Sequence, residues 1–155
     1  MKLDQTNIKI LQAIQKDGSL SQRELAQQVN MSPNACWNRV QNLKDQKIIL
    51  GQSVRLDRNK LGLALVVFVM IRTRHHSSDW LKTFRSHVSN IPEVIDFFRI
   101  GGDYDYLLKV VTRDMASYDD VYQRLIARVE LDSITSYFAM EAIAEQRPLP
   151  IEAND

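Results

Sequence analysis

Asn34, Trp37, Asn38, Arg39, Gln41 and Lys44 fall within eleven residues of one another, and most of them are built to read a polar edge. Asn and Gln can bond bidentately to adenine and Arg to guanine, while Lys neutralises phosphate. The stretch opens with Ser32-Pro33, a serine N-cap followed by proline at the first helical position. These side chains therefore lie on a helix, with donors and acceptors gathered toward its N-terminal end, where Ser32 joins them as an expected DNA contact. Arg39 lies far enough along for a phosphate contact to serve as well as a base contact. Trp37 is either a half-buried core residue or packs on a sugar or a neighbouring hairpin. Lys44, Lys47, Arg55 and Arg58 could line a nucleic-acid backbone, although each alone reads as solvated surface.

Three short helices must hold that surface. The first begins at Asp4, a good N-cap, carries Ile8, Leu11, Ala13 and Ile14 at helical spacing, and stops at Gly18. The second opens with Ser21-Gln-Arg-Glu24, a capping box, and buries Leu25, Ala26 and Val29. The third runs from Ser32 to about Gln46, with Ala35, Val40 and Leu43 facing inward. Ile48-Ile49-Leu50 and Ser53-Val54-Arg55-Leu56, separated by Gly51, read as two short strands of a wing. Two helices joined by a tight turn, with a polar second helix, make a helix-turn-helix, and the hairpin makes it winged. A plain three-helix bundle that reads nothing is the alternative; the polar outer face of the third helix argues against it.

The charge follows the same division. Residues 1–60 carry ten Lys/Arg against five Asp/Glu, a net +5, and residues 61–155 carry ten against fourteen, a net −4. A basic front half suits a polyanion. The chain has 155 residues and is 45% hydrophobic, enough for a real core and incompatible with wholesale disorder. Its longest apolar run, Leu61–Ile71, is far short of the ~20 residues of a spanning helix. The N-terminus shows no secretory pattern. The expectation is a soluble, cytoplasmic protein with no membrane partner. A single cysteine, Cys36, excludes a disulfide framework and a cysteine-rich zinc site.

After Asp57–Gly62, a linker, the periodicity changes. Leu63–Arg72 is a strand apolar on both faces, hence central. A helix over 77–89 carries Trp80, Leu81, Phe84 and Val88. Strands over 94–100 and 104–112 flank the turn Gly101-Gly102-Asp103. A helix over 117–129 carries Tyr118, Val121, Tyr122, Leu125, Ile126 and Val129, and a strand over 134–143 closes the domain. The order βαββαβ is ferredoxin-like, so the fold class is α+β. The boundaries expected are 1–56 for the DNA-binding domain, 57–62 for the linker, 63–150 for the second domain and 151–155 for a frayed tail. Two helices cover only one face of a four-stranded sheet, so the bare apolar face calls for a second copy, a homodimer.

Enzymatic chemistry finds little support. Cys36 lies inside the helix-turn-helix, where a buried thiol is structural. Asp103 and Asp105 lack a third ligand at suitable spacing for a cation, His87 stands alone on a helix, and no glycine-rich phosphate loop is present. No catalytic residue, metal or cofactor is expected. By itself Gly101-Gly102-Asp103 is an ordinary hairpin turn, and adjacent His75 and His76 are solvated loop residues that do not share a metal.

With these residues in view, the chain resembles the leucine-responsive/asparagine-responsive (Lrp/AsnC) family of feast/famine regulators over nearly its whole length. Leu3-Asp4 with Ile8–Leu11, Ser21–Val29 and Ser32-Pro33 through Ile49 match the family's winged helix; Arg39-Val40 with Leu43 matches its third-helix motif. Gly102-Asp103-Tyr104-Asp105-Tyr106-Leu107-Leu108 resembles its glycine-aspartate signature, and Ser136-Tyr137-Phe138-Ala139-Met140-Glu141 its last strand. Lys44 and Lys47 depart from an acidic residue and a glycine usual in relatives; the first makes the third helix more basic, and the second stands just before the wing.

The resemblance implies a transcriptional regulator on double-stranded DNA, associated with the bacterial or archaeal nucleoid, whose dimers assemble further, commonly as an octamer of four dimers. It implies an amino-acid effector bound by the back domain at the junction between dimers. Gly102, Asp103 and Tyr104 would form the effector loop, joined by Asp105, Met115 and the strand Ser136, Tyr137, Phe138 and Ala139. A glycine turn can offer N–H groups to a carboxylate, and an acidic residue or strand carbonyls can take the ammonium. His75-His76-Ser77-Ser78 with Trp80 resembles a cysteine-sensing subgroup, making cysteine the first candidate effector and leucine or another apolar amino acid the second. A nucleoid-organising protein of low specificity, without an effector, would share every one of these motifs.

Overall fold

Asp4, Ser21 and Ser32 each start a helix by taking up a free N–H of its first turn. In the computed structural model, which describes residues 3–152, α1 is Gln5–Lys16, α2 is Gln22–Gln28 and α3 is Pro33–Asp45. Asp4 Oδ1 accepts from the Asn7 amide at 2.7 Å. The Ser21 box closes in both directions, Glu24 N to Ser21 Oγ at 3.2 Å and Ser21 N to Glu24 Oε2 at 2.8 Å. α2 and α3 end alike. Asn30 (φ 55°) and Lys47 (φ 56°) take the left-handed conformation, and Met31 N and Ile48 N bond back to the Ala26 and Leu43 carbonyls at 2.8 and 2.9 Å. These are Schellman closures, and the first of them is the turn between α2 and α3.

Ile10, Leu11 and Ala13 of α1, Leu25, Ala26 and Val29, and Cys36 and Leu43 of α3 close one core. Ala35, expected inside, is exposed, and Cys36 takes its place. Positions 36, 40 and 43 follow the i, i+4, i+7 stripe that a helix buries; position 35 lies off it. The expected wing does not form: residues 50–56 carry no strand, and Leu50, Val54 and Leu56 are 89, 83 and 64% exposed. An isolated hairpin has no layer on which to bury its apolar side chains and is marginal on that account. The stretch 57–62 is a capped helical turn rather than an open linker. Asp57 Oδ1 accepts from the Asn59 and Lys60 amides, and Arg58 Nη1 donates to the Leu63 and Ala64 carbonyls at 3.2 and 2.8 Å.

The second half forms β1 (Leu65–Arg72), α4 (Ser78–Ser89), β2 (Val94–Arg99), β3 (Tyr106–Thr112), α5 (Met115–Ile126) and β4 (Ser133–Phe138). The sheet order is β2-β3-β1-β4, with every pairing antiparallel. This is the ferredoxin-like α+β plan, with β1 central. Val67, Val69, Ile71, Leu108 and Val110 meet Phe84, Val88, Val121 and Leu125 under the helices. The alternate positions face away from the helices: Phe68 pairs with both Lys109 and Tyr137, and Met70 with Leu107 and Thr135. β4 stops at Phe138 instead of continuing to Ile143, and Met140 and Ile143 stand 98 and 90% exposed. β4 pairs only with β1, whose first residues are already taken up where Ala139 N meets Val66 O at 3.0 Å; no ladder remains beyond.

The chain divides into two compact units, one holding the chain through Leu56 together with the segment from Ala144 onward, the other Asp57–Ile143. Part of what the sequence suggested was second domain and frayed tail thus belongs with the helix-turn-helix. Residues 153–155 of that tail lie outside the described residues.

Candidate nucleic-acid interface and effector site

The outer face of α3 follows from its anchoring. Burial of Cys36 and Leu43 turns Asn34, Asn38 and Lys44 outward, leaves Trp37 46% exposed, and keeps Gln41 half-buried. Ser32 Oγ accepts the Ala35 amide at 3.3 Å, so its hydroxyl is committed to the cap. Gln22 Nε2 donates to the Pro33 carbonyl at 3.1 Å, holding the start of α3 against α2. Arg39 behaves differently from its neighbours: its Nη1 donates to Asp4 Oδ2 at 2.6 Å and to Asn7 Oδ1 at 2.9 Å. The guanidinium thus fastens α3 to the N-terminus of α1. Asp4 is held below the ordinary carboxylate value, first by the Asn7 amide and then by Arg39. Arg58, considered above for phosphate contact, instead serves the 57–64 turn of the other unit. Burial pushes the Cys36 thiol up, away from the reactive thiolate.

In the second unit, Gly102 sits at φ +115°, which favours glycine. Ile100 N to Asp105 O at 2.9 Å closes the turn over Gly101–Tyr104. Asp105 faces inward: its Oδ2 accepts the amide of Thr73, itself buried, at 2.8 Å, and its own amide donates to Ile71 O. Its charge thus braces the turn against the end of β1. Arg72, which the sequence did not single out, donates from Nε to the Asp103 carbonyl at 2.7 Å and lies 5.4 Å over the Tyr104 ring. Tyr104 Oη meets Thr135 Oγ1 at 3.2 Å, and the neighbouring Tyr104 hydroxyl raises the Tyr137 phenol above its ordinary value. Arg72, Asp103, Tyr104, Thr135 and Tyr137 therefore gather at one corner of the sheet. The signal was an arginine closing an otherwise apolar strand.

The remaining effector candidates lie elsewhere. Ser136 bonds Tyr118 Oη at 2.5 Å under α5, and Phe138 packs edge-on against the Tyr118 ring. Met115, 56% exposed, opens α5 directly after the Thr112 end of β3, whereas the Gly102 turn lies at the Tyr106 end. Six residues of strand separate them, roughly 20 Å. One chain therefore brings together Gly102–Asp105 with Tyr137, turns the flanking Ser136 and Phe138 toward α5 on the other face of the sheet, and leaves Met115 at the far end of β3. A hollow of about 850 Å³ along α4 and α5, lined by Lys82, Ser86, His87, Arg124 and Arg128 among others, contains none of the effector candidates. His75 stacks on Trp80 and pairs with Glu130 at 3.4 Å. Among the described residues no group of three or more His, Cys, Asp or Glu could hold a metal, and no helix is long and apolar enough to cross a membrane.

Comparison with known proteins also gives two parts, the second of which extends past Ile143. Residues 3–49 match the family "Winged helix-turn-helix DNA-binding", a match that ends before the strandless 50–56 segment, and residues 66–149 match the "Lrp/AsnC ligand binding domain". The chain is 44% identical over 151 residues to the DNA-binding transcriptional activator DecR of Escherichia coli (strain K12), covering 97% of this chain and 99% of that one. It superposes on an AsnC family transcriptional regulator from Agrobacterium tumefaciens with a TM-score of 0.92 at 43% identity, covering 95% and 96% of the two chains. The transcriptional regulator NMB0573 of Neisseria meningitidis, solved as its L-Met complex, gives a TM-score of 0.90 at 32% identity over 96% of each chain.

Proposed function

The chain belongs to the Lrp/AsnC family of transcriptional regulators, not to an enzyme class, and from that premise we propose that it binds specific double-stranded DNA sites under the control of a small amino acid. One observation carries the DNA half: α3, capped by Ser32 and anchored through Cys36 and Leu43, presents Asn34, Trp37 and Asn38 outward together. In this reading Asn34, Asn38 and Gln41 reach base edges, Trp37 packs on the sugar-phosphate backbone, and Lys44 supplies a salt-sensitive phosphate contact. Arg39 acts by positioning, since its guanidinium is already engaged with Asp4 and Asn7.

The effector site is the corner formed by Gly102, Asp103 and Tyr104 with Tyr137, braced by Asp105. The position of Met115 at the far end of β3 from the Gly102 turn supports a site completed between subunits, because one chain sets the two roughly 20 Å apart. The open sheet face bearing Phe68, Phe98 and Tyr137, which are 36, 53 and 53% exposed, is the dimer contact, and four such dimers make the octamer. An amino-acid ligand accords with the L-Met complex of the Neisseria regulator; cysteine is the first candidate here and leucine or another apolar amino acid the second. Ligand binding shifts the population of assemblies and so which DNA sites are engaged together. The protein acts in the cytoplasm, on nucleoid DNA.

The test is fluorescence anisotropy on the DNA upstream of the protein's own gene, at two salt concentrations, with cysteine, leucine and methionine added in turn. A specific complex shifted several-fold by one of them is the expected result. Salt-sensitive binding without preference over random duplex, and without a ligand response, overturns the sensing reading in favour of a nucleoid-organising role.

A further inference from the structure

The segment Arg147-Pro148-Leu149-Pro150-Ile151 alternates prolines with apolar residues. Each proline sets φ near −65° and removes an N–H, so the stretch is stiffened before it touches anything, and few backbone donors are left in it. Leu149 and Ile151 both use theirs. Leu149 N donates to Gln15 Oε1 at 2.8 Å, and Gln15 Nε2 donates back to Leu149 O at 3.3 Å. Gln15, on α1, thus holds both backbone groups of one residue. One turn earlier on the same helix, Gln12 Nε2 donates to Ile151 O at 3.1 Å, while Ile151 N turns back to Leu149 O at 2.9 Å. The Ile151 side chain packs against the core of α1, α2 and α3. The compact unit formed by the helix-turn-helix includes this segment.

We propose that Pro148–Ile151 is a strap that docks on α1 and stabilises the DNA-binding unit from outside its own sequence. Gln12 and Gln15 capture its backbone, Ile151 plugs the core edge, and the prolines lower the ordering cost of docking. α1 then carries two attachments at its two ends: Asp4 and Asn7 hold Arg39 of α3, and Gln12 and Gln15 hold the strap. The strap follows β4 in the chain after an irregular stretch, so the DNA-binding unit is covalently joined to the other unit at both of its own chain ends, near Leu56 and near Ala144. Loosening the strap loosens α1, and through Arg39 the seating of α3.

Amide hydrogen exchange of the full chain, followed by mass spectrometry, tests this in Ile151→Asp and in Gln15→Ala. Gln15→Ala changes a side chain on the helix surface and does not threaten the fold. The expected result is exchange across Gln5–Lys16 faster by about tenfold in Ile151→Asp and several-fold in Gln15→Ala, with β1 and β3 unchanged. Unchanged exchange in α1 in either variant overturns the strap, as does a rise that extends equally to β1 and β3. The outcome does not depend on the proposed DNA reading. A parent protein without DNA affinity would defeat that reading and leave the exchange result standing.

Discussion

Arg39 Nη1 lies 2.6 Å from Asp4 Oδ2, so the one arginine of α3 is spent on fastening that helix to α1. Removing either partner is expected to weaken DNA binding by several-fold, because α3 then loses its fixed seat. If Arg39 instead contacted DNA directly, Asp4→Ala would free it, and affinity would hold or rise. Parallel anisotropy titrations of Arg39→Ala and Asp4→Ala separate the two cases. The positioning role fails if Asp4→Ala binds as the parent does.

Lys47 adopts φ 56° as the closing residue of α3, where a Cβ crowds the following carbonyl. Lys47→Gly is expected to raise the unfolding free energy of the helix-turn-helix by about 1 kcal/mol. Urea denaturation monitored by Trp37 fluorescence measures it. Asn30, in the same conformation at the end of α2, tolerates it better, and Asn30→Gly is expected to change little.

Asp105 Oδ2 accepts the amide of Thr73 at 2.8 Å, and Thr73 is only 4% exposed. Asp105→Ala leaves that donor unpaired, at a cost of about 1–3 kcal/mol to the second unit, and is expected to blunt the response to the amino acid by loosening the Gly102 turn. Asp105→Asn keeps an acceptor oxygen and is expected to retain both stability and response. A normal ligand response in Asp105→Ala would place the effector elsewhere.

Phe68 stands directly opposite Tyr137 on one side and Lys109 on the other, on the face the helices leave open. Phe68→Glu places a charge there without touching the helix-covered core. Sedimentation is expected to show the dimer weakened by at least about tenfold, with the circular dichroism of the fold intact. An unchanged sedimentation coefficient would move the self-association surface off this face.

Arg124 Nη2 lies 2.6 Å from Glu93 Oε1 and holds that carboxyl below its ordinary value near 4.5. A depressed folded value stabilises the protein above the unfolded value, and that contribution disappears as pH falls through the folded one. Thermal unfolding is therefore expected to lose stability as pH falls below the ordinary carboxylate value near 4.5, with Glu93→Gln flattening part of that limb. Solvent reaches both side chains, so the contribution stays below about 1 kcal/mol. Equal acid limbs in the two proteins would assign the loss to other carboxylates.

The capped helices and the order of the strands could be read from the residues alone, because their causes are local. Ser21 with Glu24, Ser32 with Pro33, and the continuous apolar run from Leu65 to Ile71 act within a few residues of themselves. The wing could not be read that way. Val54 and Leu56 have the apolar pattern of a strand, but pattern does not supply the layer that a strand needs. For the same reason β4 stops at Phe138, where its one partner strand runs out. Residue type marked Arg39 as functional and the family resemblance marked Asp105, and both are occupied by partners 35 and 32 positions away along the chain. Arg72 gained its place beside Asp103 and Tyr104 only when β1 and the Gly102 turn met. The strap on α1 spans 134 positions between Gln15 and Leu149. Contacts at such separations depend on where packing of the whole chain carries each backbone, and no local preference of glutamine or proline encodes that position.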